Sequence, residues 1–310
     1  MQKFFNRLRY NIFFSRIISP AATGIQMVSE RISREITRKI KVNGRRISYY
    51  GYQMQFPKNT GQGILSNIYW NKEAGFEQYT GRLLIHFFER SNIFIDVGAN
   101  FGFYSVLAAR CNPTIQVFAF EPLKYNFVML EKFVAANKIV NVNLFRISCS
   151  NYNGSAKLFF PDRSSPQEVT TASFDKNFFY NQRFSQSLEE KVECIRLDDA
   201  LNPAEKSKVV IKIDVEGHEM EVLEGAESTI IKNRPVVICE VLDNKQNVSV
   251  FFKSKHYETF GISSEGLIRM SDDDFIMNHS FRDYLFLPGE FISLNRNFIA
   301  FDQLEDFKND

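Results

Sequence analysis

Residues 93–105 read IFIDVGANFGFYS: an apolar run, an aspartate, two glycines four positions apart, and the opening of an apolar-periodic stretch. Ile93, Phe94 and Ile95 lack the polar alternation of a half-exposed strand, so they suit a strand buried on both faces of a parallel sheet. Gly98 and Gly102 let the chain turn and let a ligand approach the backbone where a Cβ would stand in the way. Strand, tight turn and helix together locate a small-cofactor site. The Gly-x-x-x-Gly spacing departs from the Gly-x-Gly-x-x-Gly that seats a pyrophosphate on a helix N-terminus. It therefore points away from a dinucleotide-dependent oxidoreductase and towards S-adenosylmethionine, which has no phosphate to cradle.

Two further strand ends fall in register with this one. Ile115 to Phe120 (IQVFAF) ends in Glu121, about twenty residues past the glycine turn, the offset at which a carboxylate meets ribose hydroxyls in a βαβ unit. Lys208 to Ile213 (KVVIKI) ends in Asp214-Val215-Glu216-Gly217-His218-Glu219, followed by a helical pattern through Met220, Val222, Leu223, Ala226, Ile230 and Ile231. Residues just beyond a strand's carboxyl end face the ligand crevice of an open α/β sheet, which places Asp214, Glu216 and His218 where chemistry would occur. As caps of the following helix, Asp214 and Glu216 would instead contribute about 0.3–1 kcal/mol each. Both readings stand at this point. VVICEV, residues 236–241, is the fifth strand, and Glu240 points from its carboxyl end into the same crevice.

In order and spacing, IDVGANFGFYS, FAFEP, NYNGSAKL, RLDDAL, IKIDVEGHEMEVLEGA and RPVVICEV resemble the FkbM family of S-adenosylmethionine-dependent methyltransferases. The resemblance runs roughly from Glu77 to Val241, and the strand followed by DVEGHE is its most specific part. It implies an α/β class I methyltransferase (Rossmann-like) fold: a mostly parallel seven-stranded sheet with helices on both faces, FRDYLFL supplying a late antiparallel strand, and an N-terminal helical and β extension. It also implies methylation, commonly O-methylation of a sugar, glycan or natural-product hydroxyl. Carried over by position, Asp96, Gly98, Asn100 and Gly102 would form the methionine-side turn and Glu121 would hold the ribose. Ser148 and Cys149 would meet the adenine edge, with Ser148 standing where the family often has alanine. Asp96, Glu121 and Asp214 would converge on one S-adenosylmethionine. Glu77 stands where the family has an acid at the pocket's edge, although as a residue it reads as a solvated helix face.

Methyl transfer to a hydroxyl needs the acceptor oxygen held in line with the methyl group and a group to take the proton. His218 comes first, because an unperturbed imidazole titrates near about 6.5 and Glu216, two residues earlier, could orient it. Asp214 follows, then Glu240. Asp214, Glu240 and Asp243 or Asn244 offer hard oxygens, but no local motif points to a metal and none is expected.

The chain has 310 residues, 44% of them hydrophobic, enough for one embellished domain with a large core. Net charge is +2, unevenly spread: residues 1–46 hold eleven Lys or Arg against two Glu, so the remainder is acidic. Phe4, Phe5, Leu8 and Ile12, then Val28, Ile32, Ile36 and Ile40, recur at helical spacing in that basic end. Residues 1–46 are thus expected as basic amphipathic helices that either buttress the domain at 47–310 or contact an anionic membrane surface peripherally. No apolar run approaches a membrane span. The acidic catalytic part argues against a nucleic-acid partner, leaving an RNA-directed methyltransferase or a non-catalytic adapter of the same fold as the alternatives.

Cys111, Cys149, Cys194 and Cys239 form no metal-type spacing and read as reduced thiols of a cytoplasmic protein. The sequons at Asn153, Asn247 and Asn278 follow no cleavable signal peptide and are read as chance matches. VNGRRISYYGYQMQFP reads as a strand pair turning at Asn43-Gly44, and NKEAGFEQYTGRLLIHFFER as a helix. Asp198 and Asp199 are expected to cap the helix that follows them. Residues 161–190 have little periodicity and are expected as an irregular loop covering the acceptor through Tyr180, Arg183 and Phe184.

Overall fold

The structure, a computed structural model, describes residues 44–58, 62–161, 172–175, 187–292 and 298–300. The expected basic helices of residues 1–46, apart from their last three residues, lie outside these, as do Tyr180, Arg183 and Phe184.

The chain opens with a hairpin, β1 (Arg46–Tyr49) and β2 (Tyr52–Gln55), whose register puts Ile47 opposite Met54 on a buried face. Its turn is at Tyr50-Gly51, with φ of 46° and 87°, and not at Asn43-Gly44. Two successive left-handed residues match the twist of paired strands, and pairing with Gln55 fixes where they fall. After α1 (Gln62–Asn71), the stretch that reads as one helix, residues 71–90, is instead divided into a 3-10 turn (Lys72–Gly75) and α2 (Gln78–Phe88). The break follows from tertiary packing: Phe76 is extended so that its ring meets Phe103 edge-on at 5.0 Å, and Glu77 turns left-handed at φ 34°.

The βα units follow: β3 (Ile93–Val97), α3 (Phe103–Cys111), β4 (Gln116–Phe120), α4 (Lys124–Ala136) and β5 (Val142–Phe145). Next come β6 (Ser148–Cys149), β7 (Gly154–Pro161), β8 (Ser187–Ile195), α5 (Leu197–Ala200) and β9 (Val209–Ile213). The chain continues through α6 (Glu219–Gly225), α7 (Glu227–Asn233), β10 (Val236–Glu240), α8 (Lys245–Ser254), β11 (Tyr257–Ile262), β12 (Gly266–Met270), α9 (Asp272–Met277), β13 (Asp283–Pro288) and β14 (Phe298–Ala300).

The main sheet runs β14-β12-β11-β13-β10-β9-β3-β4-β5, nine strands where seven are expected. Its five strands from β10 to β5 are parallel, and β13, β11, β12 and β14 add antiparallel pairs, the last two being the surplus. All five residues of β3 and of β9 are buried, as central parallel strands between two helical layers require. Ile93, Ile95 and Val97 face one core with Ile211 and Val222, while Phe94 faces the other with Val106 and Leu130. Asp96, on the face of Phe94, therefore points towards α3.

A second sheet, β6-β8-β7, was not expected, and β8 claims residues 187–190 from the supposedly irregular segment. Ser173 forms a bridge with Phe159 at its edge. Asp198 does not cap its own helix: its carboxylate accepts from the backbone amides of Ser228 and Thr229 at 2.8 and 2.9 Å, capping α7. Asp199 accepts from the Asn153 amide at 2.8 Å. Among the described residues no helix is long and apolar enough to cross a membrane.

Candidate active site

The carboxyl ends of β3, β4, β9 and β10 open into one cavity of about 440 Å³. Its floor begins with Asp96, 2% exposed, whose carboxylate accepts a 2.6 Å hydrogen bond from Ser105 Oγ. Gly98 has φ 80°, and a Cβ there would lie 1.9 Å from the Asp214 carbonyl oxygen, so the β3 and β9 ends touch only because glycine separates them. Gly102, φ 89°, begins α3 where a Cβ would meet Leu130 at 2.2 Å. Between them the Asn100 amide donates to Glu121 Oε2 at 2.8 Å, and the Leu123 amide donates to Oε1 at 2.9 Å. Glu121 is thereby held rigidly at the turn, with burial pushing its carboxyl up to about 7 against those two amides.

One end of the cavity is apolar. Phe120, Leu123 and Leu158 line it with Ser148 and Cys149, and Phe174 closes it from the Ser173 bridge. The other end is strongly charged. Lys212, register partner of Asp96, reaches Asp214 Oδ2 at 2.7 Å and lies 5.2 Å from the Tyr104 ring centre. Burial alone would lower the Lys212 ammonium, but Asp214, Glu77, Asp283 and Asp96 reverse that and hold it well above the usual lysine range. Burial also opposes the charge of Asp214, yet Lys212 prevails and keeps this carboxyl below its ordinary value. Tyr104 donates its hydroxyl to Glu77 at 2.7 Å, and Thr80 donates to Asp283 at 2.6 Å.

Oxygens of Asp214, Glu216 and Glu240 lie within 4.8 Å of one another. Burial, then the Asp214 and Glu216 charges, push Glu240 up to about 9 despite Arg282 at 2.7 Å. Burial and Asp214 likewise bring Glu216 to about 7. Asp96 is raised to about 6 and Glu77 to about 7, burial being the main cause in both.

Of the residues singled out in the sequence, Asp96, Gly98, Asn100, Glu121, Ser148, Cys149, Asp214, Glu216 and Glu240 line this cavity. Gly102 supports it from behind; Asp243 and Asn244 are not in its wall. His218 is also outside the wall. Its Nε2 is 3.0 Å from Ser150 Oγ, its Nδ1 is 3.4 Å from Glu221, and its ring packs 4.3 Å from Phe174. The neighbours that orient His218 are therefore Ser150 and Glu221, the latter one turn along α6, while Glu216 faces the cavity. Burial lowers the His218 imidazole below its ordinary value, with Glu221 acting the other way.

Glu77 is not on a solvated helix face: the break before α2 turns it into the cavity wall. Sequence reasoning missed Lys212, although a lysine in an otherwise apolar strand signals a buried charge seeking partners. Nothing local marked Asp283 or Phe174.

A profile of the Methyltransferase FkbM domain matches residues 96–278, from the β3 aspartate to the end of α9. The chain belongs to the FkbM methyltransferase family. Among its relatives is methyltransferase sdnD of Sordaria araneosa, 28% identical over 195 residues, 54% of this chain and 74% of that protein. Another is the hexuronic acid methyltransferase AglP of Haloferax volcanii, 26% identical over 237 residues, 75% of this chain and 87% of that one. A crystal structure of a methyltransferase FkbM from Methylobacillus flagellatus KT superposes with a TM-score of 0.40 at 12% identity, covering 72% of this chain and 52% of the other. As an FkbM methyltransferase the chain is an enzyme.

Proposed function

We propose that this FkbM methyltransferase transfers a methyl group from S-adenosylmethionine to a hydroxyl of a sugar, glycan or natural-product acceptor. The observation that carries the reading is one cavity lined by the apolar group of Leu123, Leu158 and Phe174, by the rigidly held Glu121 carboxylate and by the clustered acids Asp214, Glu216 and Glu240. A Cβ at Gly98 would strike the Asp214 carbonyl oxygen, so this glycine lets the β3 and β9 ends meet at the cavity, and it is the apolar residues beside Glu121 that fit the adenosyl part of the cofactor. Ser148, Cys149 and Phe174 would hold the adenine, Glu121 the ribose hydroxyls, and Asp96 with the 98–100 turn the methionine part. When bound, S-adenosylmethionine supplies an electrophilic methyl group on a cationic sulfur.

Asp214, kept below its ordinary value by Lys212, is the group placed to accept the hydroxyl proton, with Glu240 next to it pushed up to about 9 by burial and the neighbouring acids against Arg282. Orientation of the acceptor is worth several kcal/mol in such a transfer, roughly 7–11 in the best intramolecular cases. His218 takes a supporting place behind Phe174 in this reading and not that of the base. AglP, being named for hexuronic acid, makes an acidic sugar the first acceptor to try, and Arg282, 65% exposed at the rim, offers it a cation.

The test is calorimetric titration of the purified chain with S-adenosylmethionine, followed by transfer of labelled methyl to a panel of uronic acids, neutral glycosides and phenols. Saturable heat and label in a sugar hydroxyl are expected. No heat would remove the cofactor reading, and label appearing only in phenols would remove the sugar.

A further inference from the structure

Lys212 occupies a position that the sheet does not require. It lies in β9 among Val209, Val210, Ile211 and Ile213, with a side chain only 6% exposed, and among the described residues no other lysine or arginine is buried. An apolar side chain of similar volume would serve the strand without the cost of desolvating an ammonium. What the ammonium gains is a ring of acids from four separate elements. Asp214 is bonded at 2.7 Å from the β9 end, Asp96 sits in register on β3, and Glu77 at the start of α2 and Asp283 on β13 act on the same charge. The Tyr104 ring on α3 closes the remaining side.

We propose that Lys212 is a positioning residue for the transfer: its ammonium pins the Asp214 carboxylate at the cavity floor and is the fixed counter-charge of the four acids beneath the cofactor. This rests on the reading of the cavity as the S-adenosylmethionine site. Asp214 is faced by Lys212 on its own strand, Glu216 and Glu219 beyond it, Glu240 on β10, Arg282 and Asp283 at β13, Glu77 before α2 and Asp96 on β3. Only Lys212 and Arg282 in that set are cations, and Arg282 is bonded to Glu240. Removing Lys212 would therefore leave Asp214 among like charges, and protonation would be its cheapest escape. The site would then lose the ammonium and the carboxylate charge together, so its net charge is unchanged, and what the cationic cofactor loses is the ionised Asp214 fixed at the end of β9.

The experiment titrates S-adenosylmethionine into the wild type, Lys212→Met, Lys212→Arg and Asp214→Asn from about pH 5.5 to about 8.5, with circular dichroism to verify folding. Lys212→Met is expected to bind at least about tenfold more weakly at neutral pH, with the pH midpoint of binding raised by about one unit or more. Lys212→Arg restores the charge and should bring the midpoint back towards the wild type, an outcome that packing alone would not produce. A folded Lys212→Met with wild-type affinity and midpoint overturns the proposal, and so does a Lys212→Arg midpoint displaced as far as that of Lys212→Met.

Should Lys212→Met not fold, Asp214→Asn carries the test: it should lose affinity while Lys212→Arg keeps it, and wild-type affinity in Asp214→Asn overturns the proposal. If the wild type itself gives no heat, the cofactor reading fails. The counter-charge is then read from melting of the ligand-free proteins. Lys212→Met should lose stability more steeply than Lys212→Arg as pH rises, and equal slopes overturn it.

Discussion

Phe174 comes from a segment with no sequence periodicity, yet it lines the cavity together with Ser148 and Cys149. Two backbone bonds between Ser173 and Phe159, each 2.9 Å, fix the strand edge from which it projects. His218 packs against its ring at 4.3 Å, so a residue of the DVEGHE block reaches the wall without entering the cavity. Stacking of an aromatic ring on a nucleobase is worth about 1–3 kcal/mol. Phe174→Ala should therefore weaken S-adenosylmethionine binding by roughly 5- to 150-fold while leaving the fold intact. Calorimetry with the cofactor and with adenosine alone checks this, since both share the base. A loss seen with the cofactor but not with adenosine would mean that Phe174 touches another part of the molecule.

At the scale of elements, the interlocking of α5 and α7 shows how capping can be non-local. Asp198, its side chain 8% exposed, takes the Ser228 and Thr229 amides and the Thr229 hydroxyl, all about thirty residues away in the chain. Replacing it with alanine leaves the amide and hydroxyl of buried Thr229 without this partner and the exposed Ser228 amide to water, and the expected loss is about 1–2 kcal/mol of stability. Denaturant unfolding should register that loss with cofactor affinity unchanged, and a stable Asp198→Ala would show that water replaces the cap.

The same non-locality separates what was legible in the sequence from what was not. The ends of β3, β4, β9 and β10 were readable because central parallel strands are uniformly apolar and their acids follow directly in the chain. The break at Phe76-Glu77, the β6-β8-β7 sheet and strands β12 and β14 depend on partners distant in sequence, and no local period announces them. Lys212 lay between the two cases: visible as an anomaly, but without meaning until Glu77, Asp96 and Asp283 were brought around it.

For the whole molecule, the acids of the cavity link folding, cofactor binding and pH. Burial places Asp96 at about 6 and Glu77, Glu121, Glu216 and Glu219 at about 7, above the ordinary carboxylate range, while Asp283 is also raised. An acid with a raised folded pKa binds its proton more tightly in the folded state, so its contribution is present at low pH and is lost as pH climbs through the folded value. Asp214, Asp272 and Glu290 are lowered and act in the opposite sense, but their window lies at more acidic pH. His218, lowered below its ordinary value, costs stability as pH falls, and it is one group against several. The ligand-free protein should therefore melt at progressively lower temperature between about pH 5 and about pH 8. A cationic cofactor reverses the preference of the cavity acids by favouring their ionised forms. Binding at about pH 6.5 should accordingly release roughly one proton, measurable as a dependence of calorimetric heat on the ionisation enthalpy of the buffer, and saturating S-adenosylmethionine should flatten the fall in melting temperature. Proton uptake on binding, or a melting temperature that climbs across the same interval, would mean that these acids are not buried beneath the cofactor.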